Sequence, residues 1–217
     1  MLAHPFRTLT VLGLIGLTYV TFFVLPPGPR ESSDFDPVRV ARLHLEMWKD
    51  DTIGNTVGTF TSCAKLLREQ YKYSWFRAGQ AAYHLASATS QYRSSRNHYD
   101  LLLPDLEAAN AIERDWLNAT FDPGKVAKAE LAWWISIRRS ELNTLTNISG
   151  LIGDELAQRY GGDRGDYAAA ATLLARAVDL RQQGGQDPDW SEIGTLLEQH
   201  YRELRAVLQA RRGGRRV

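Results

Sequence analysis

Phe35-Asp36-Pro37-x-x-Val40-Ala41-Arg42-x-x-Leu45-x-x-Trp48 returns 86 residues later as Phe121-Asp122-Pro123-x-x-Val126-Ala127-Lys128-x-x-Leu131-x-x-Trp134. The echo continues: Leu67 and Tyr71 are answered by Leu156 and Tyr160, Leu85 and Arg93 by Leu173 and Arg181, and Tyr99, Leu106, Glu107, Arg114 and Leu117 by Trp190, Leu197, Glu198, Arg205 and Leu208. The offset drifts only from 86 to 91, as small loop insertions between matched helices would produce. A chain that repeats itself at this period is built from two copies of one supersecondary unit.

Every strong local signal in that unit is helical. Asp36-Pro37 and Asp122-Pro123 each place an N-capping carboxylate before a proline at the first helical position, and Asp187-Pro188 opens the last segment in the same way. Ser74 reads as a further cap, and Gly54, Gly161-Gly162 and Gly184-Gly185 read as helix stops. Apolar residues recur at helical spacing, as in Val40, Leu43, Met47 and Val126, Trp133, Ile137. The reading is four helices per copy, over 36–51, 55–73, 74–95 and 98–118, then 122–141, 144–160, 166–183 and 189–211. Pro104 either kinks the fourth helix or marks its true start. The predicted fold is all-α: a duplicated helical bundle with repeats at 35–120 and 121–211 and a basic tail at 212–217.

Ahead of the repeats, Thr8 to Pro29 carries no charge, and Val11 to Leu25 is mostly large and apolar. About 20 such residues suffice to cross a bilayer. Leu25-Pro26-Pro27-Gly28-Pro29 offers no small-residue cleavage site, and Tyr19, Phe22 and Phe23 gather where an interfacial belt would lie. The segment 1–29 is therefore expected to be an uncleaved single-pass anchor touching membrane lipid through residues 8–29, with 30–34 as a spacer. This places the chain in a bacterial inner membrane, with the helical domain outside the cytoplasm. Asn118-Ala119-Thr120 and Asn147-Ile148-Ser149 match a glycosylation pattern that arises readily by chance.

Composition excludes several classes. A net charge of +1 over 217 residues gives no footprint for nucleic acid, and Cys63 stands alone, without a disulfide or metal-binding partner cysteine. There is no phosphate-binding glycine loop, dinucleotide fingerprint, Gly-x-Ser-x-Gly elbow or Glu-x-x-His pair. One matched pair stands out: His44 and Glu130 share a position in the two copies, each on an apolar helix face. A buried carboxylate needs a partner or a proton. The structural reading is a buried His–Glu or Arg–Glu hydrogen bond that fixes the register of the copies, with Arg138 and Arg139 as candidate arginines. The metal reading enlists His44, Glu130 and His84 with further helix-borne ligands such as Glu46, Glu69, Asp154 and Glu155.

Six tryptophans enrich the chain in interface-prone side chains. Trp75, Trp133 and Trp134 are the candidates for an exposed contact, and Trp133-Trp134 spread over ~100° of helix surface. The favoured function is binding without a bound cofactor, as an accessory subunit or assembly factor docked on a larger membrane complex. The alternative is a helical protein, an oxidoreductase among the options, that holds a metal ion or pigment between its repeats.

Overall fold

The computed structural model describes residues 4–20, 31–139, 141–185 and 187–214. They form nine α-helices, with no strand among the described residues. Helix α1 covers His4–Tyr19; α2, Pro37–Thr52; α3, Thr56–Tyr71; α4, Trp75–Ser94; α5, Leu103–Leu117; α6, Pro123–Arg138; α7, Leu145–Tyr160; α8, Ala168–Gln183; and α9, Trp190–Gly214.

The membrane anchor is corrected. Helix α1 has 16 residues, about 24 Å at 1.5 Å per residue, short of the ~30 Å hydrocarbon core. No helix among the described residues is long and apolar enough to cross a membrane. The single-pass assignment and the inner-membrane location built on it are withdrawn. Hydropathy scores an apolar run by composition alone, whereas a span also needs about 20 residues of helix, more than the 16 of α1. Phe22, Phe23 and the Pro26–Pro29 stretch lie outside the described residues, as do Arg215 and Arg216 of the basic tail.

The helix starts follow the local chemistry. The Asp36 carboxylate accepts from the Val38 and Arg39 amides at 3.0 and 3.5 Å, and Asp122 accepts from Gly124 and Lys125 at 2.9 and 3.3 Å. Each cap satisfies amides that the first helical turn leaves without partners. Asn55, Ser74 and Thr144 cap α3, α4 and α7 in the same manner. Pro104 marks a start and not a kink: a 3-10 turn at Tyr99–Leu102 leads into α5, where the proline occupies the first turn.

From α2 onward each helix packs against its successor, and α9 returns to pack against α2. Eight helices thus close into a ring. The interior is filled by three apolar clusters. The largest is built around Val40, Ile152, Tyr167, Ile193 and Leu197, the second around Leu67, Tyr73, Ala78 and Trp116, and the third around Leu102, Leu106 and Leu131. Met47 bridges the first two, and Leu85 bridges the last two. Truncating a fully buried leucine such as Leu106 should cost about 2–5 kcal/mol.

Buried residues fix the relation between α3–α4 and α7–α8. Leu67 and Leu156 are buried alike, as are Ala81 and Ala170, Ala82 and Ala171, and Ala88 and Ala177. This register sets α4 against α8 one residue away from the sequence alignment, so that Leu85 matches Leu174. The matched tyrosines Tyr71 and Tyr160, which end α3 and α7, bring their hydroxyl oxygens to 3.5 Å from each other across the ring.

Candidate functional site

Two features stand apart from an ordinary helical interior: a buried charge cluster and an exposed aromatic cleft. The cluster lies where α5, α6 and α7 meet. Arg159 of α7 pairs with Glu113 of α5, with Glu155 one turn before it at 2.9 Å, and with Glu130 of α6 at 3.5 Å. Asn110 donates to Glu130 at 3.5 Å, and the Trp133 indole N–H donates to Glu155 at 2.7 Å. One guanidinium faces three carboxylates. Burial, reinforced by Glu155, pushes the Glu130 carboxyl up to about 7 against the pull of Arg159. Burial also raises Glu113.

The arginine for Glu130 therefore comes from α7 and not from its own helix. Arg138 instead lies 3.7 Å from the Tyr92 ring centroid and donates to the Ser95 carbonyl at 2.8 Å. Arg139 ends α6 as its C-cap. Glu155 and Arg159, four apart on one helix, were the sequence signal for a same-face pair. Nothing in the sequence places them beside Glu113.

His44 sits on the opposite seam. Its Nδ1 is 2.8 Å from the Tyr201 hydroxyl of α9, and its ring meets Trp48 edge-on at 4.5 Å between centroids. Burial, with His200 and Arg181 nearby, lowers its pKa to about 3, so it is a neutral imidazole at physiological pH. Neighbouring His200 bonds the Ala170 carbonyl at 2.8 Å, and burial lowers it to about 4. His44 and Glu130 thus engage separate partners on separate seams. His84 is elsewhere again, its Nδ1 2.8 Å from Asp105, which also accepts from Ser87 and Gln91. Among the described residues no three His, Cys, Asp or Glu side chains are grouped so as to hold a metal ion. Burial raises the Cys63 thiol to about 12, which leaves it protonated and unreactive.

The tryptophans divide. Trp133 and Trp134 point inward, the first bonded to Glu155 and the second packed edge-on against Tyr92 at 5.4 Å. Trp75 is outside. It opens α4 immediately after the Ser74 cap, in a first turn whose next residue, Phe76, is 52% exposed. With Phe60, Gly79 and Tyr83 (65% exposed) these two rings line a cleft of about 510 Å³ on the outer face of α3 and α4. Gly79 leaves open space where a side chain would stand. Trp75 also walls a second groove of about 500 Å³ that runs between α2 and α3.

That groove is polar. Arg39, Arg42, Lys65, Arg68 and Lys72 line it with only Glu46 and Glu69 as counter-charges. Glu69 is shared by Arg39 and Lys72, at 3.1 and 3.0 Å. Arg68 lies 4.6 Å from the Trp75 ring centroid and donates to the Tyr73 carbonyl at 2.9 Å, so the guanidinium is held at the boundary of cleft and groove.

No family model matches the chain, and no curated protein or solved structure matches it either.

Proposed function

We propose that the chain is a helical docking domain, an accessory or scaffold subunit that holds a partner protein on the outer face of α3 and α4. The observation that carries this reading is the exposed aromatic cleft of Phe60, Trp75, Phe76 and Tyr83. Large aromatic side chains exposed together are characteristic of interface centres, where burying each one removes a large apolar area from water. The matched face of α7 and α8 lacks them. Ser149 stands in register with Phe60 and Thr172 with Tyr83, and these two hydroxyls simply bond each other at 2.9 Å. Folding alone therefore does not require aromatic residues at these positions.

The test is the mass of the native complex. Light scattering after size exclusion, on chain purified gently from its own cells, should show a stoichiometric assembly that F76S/Y83S dissolves and S149A/T172A does not. An assembly indifferent to F76S/Y83S would refute the docking face.

A further inference from the structure

We infer that the face takes an acidic amphipathic helix of the partner protein, its apolar stripe in the aromatic cleft and its carboxylates in the basic groove. This rests on the docking reading above and adds the chemistry of the partner. Trp75 is a wall of both depressions, so the apolar and the cationic surfaces are contiguous and not merely on the same side of the molecule. An amphipathic helix presents such a pair of surfaces on adjacent sides and docks into grooves by its apolar stripe.

The groove brings five cationic side chains against two carboxylates, an excess of three positive charges in a chain whose net charge is +1. Glu69 and Glu46 engage Arg39, Lys72 and Arg42, whereas Lys65 is exposed and makes no ion pair among the described residues. Arg68 is already stacked and hydrogen-bonded, so little side-chain freedom is lost when it receives a carboxylate. The matched stretch of the second half keeps two of the five cations, as Lys125 and Lys128 in register with Arg39 and Arg42, and loses the other three: Asp154 stands in register with Lys65, Ala157 with Arg68 and Gly161 with Lys72. The α3 side of the cationic groove, Lys65, Arg68 and Lys72, like the aromatic cleft, belongs to one half only.

The experiment is a selection of displayed random 16-residue peptides on the intact chain, with K65E/R68E and F76S/Y83S chains of verified helicity as counter-targets. The expected winners carry several net negative charges and apolar residues at i, i+3 and i+4. As synthetic peptides they should bind at least tenfold more weakly to either variant, and more weakly as salt rises. Winners that are neutral or basic, and that lose binding to F76S/Y83S but not to K65E/R68E, would overturn the acidic partner while leaving the docking face standing. Winners indifferent to both variants would overturn both. Phosphatidylserine vesicles that sediment the intact chain through Lys65 and Arg68 would assign the groove to a lipid surface instead. A homodimer dissolved by F76S would assign the cleft to a second copy. Either result contradicts the proposal.

Discussion

The two halves of the ring share a frame and differ in where they carry their unusual chemistry. In the α2–α5 half, α3 turns Leu66 and Gln70 inward, and Phe60, Trp75, Phe76 and Tyr83 are exposed on the outer face of α3 and α4. The α6–α9 half is charged beneath and bland outside. Glu155 and Arg159 stand in register with Leu66 and Gln70, and Ser149 and Thr172 with Phe60 and Tyr83. The lesson is that each half serves as the other's control. Positions alike in both halves are those the helical frame needs, and positions that differ are those the frame does not dictate.

The interior difference should yield the largest effect. R159Q gives α7 the residue that α3 carries as Gln70, but it leaves Glu113, Glu130 and Glu155 without a cation. Breaking a buried pair from one side typically costs about 3–5 kcal/mol, and chemical denaturation should read a loss of that size. A loss under about 1 kcal/mol would mean that the carboxylates are already neutral. The triple change E113L/E155L/R159Q, which gives the cluster its matched residues Leu204, Leu66 and Gln70, should recover most of the loss.

The exterior difference comes next. F76S/Y83S should weaken the partner complex at least tenfold, about 1.4 kcal/mol, with thermal stability nearly unchanged because both side chains are largely exposed. S149A/T172A should leave the complex intact. If both double variants weaken it equally, the asymmetry between the halves has no functional content.

Protonation sharpens the interior comparison. Glu130 is raised in the folded state, so the native chain holds a proton the unfolded chain has released, and this contribution is lost as pH rises from about 4.5 through 7. His44 and His200 are lowered, so the unfolded chain takes up protons that the native chain refuses, and stability falls with pH below about 6.5. E130Q should gain about 1–2 kcal/mol at pH 8, with the gain shrinking toward pH 5. A pH-independent effect would show that Glu130 is ionised throughout.

The frame was legible because helix starts are local events. Asp36-Pro37 and Asp122-Pro123 announce α2 and α6 through a cap and a proline that act within three residues. Trp75 is an exposed candidate in the sequence together with Trp133 and Trp134, which pack inward, so residue type alone does not separate them. The Arg159 cluster was hidden because it joins Glu113, Glu130 and Glu155 across three helices, and spacing along one helix cannot report it. His44 and Glu130 shared a matched position, which suggested a meeting at the centre. In the ring they fall on different seams, His44 against Tyr201 and Glu130 against Asn110. The cleft combines residues of α3 and α4 whose outward direction only the packed helices decide.

The smallest effects should fall on what the halves share. D36A and D122A each remove a cap with the same geometry and should each cost about 1 kcal/mol. Costs differing by more than about 0.5 kcal/mol would show that the two frames are not held alike.

The central claim is that one outer face, and not its counterpart, meets a partner. The direct measurement places a photo-crosslinking amino acid at Tyr83 or at the matched Thr172 in living cells and follows the product by mass. A discrete protein adduct from position 83 and none from position 172 is the expected result. No adduct at 83, or equal adducts at both positions, would contradict the account.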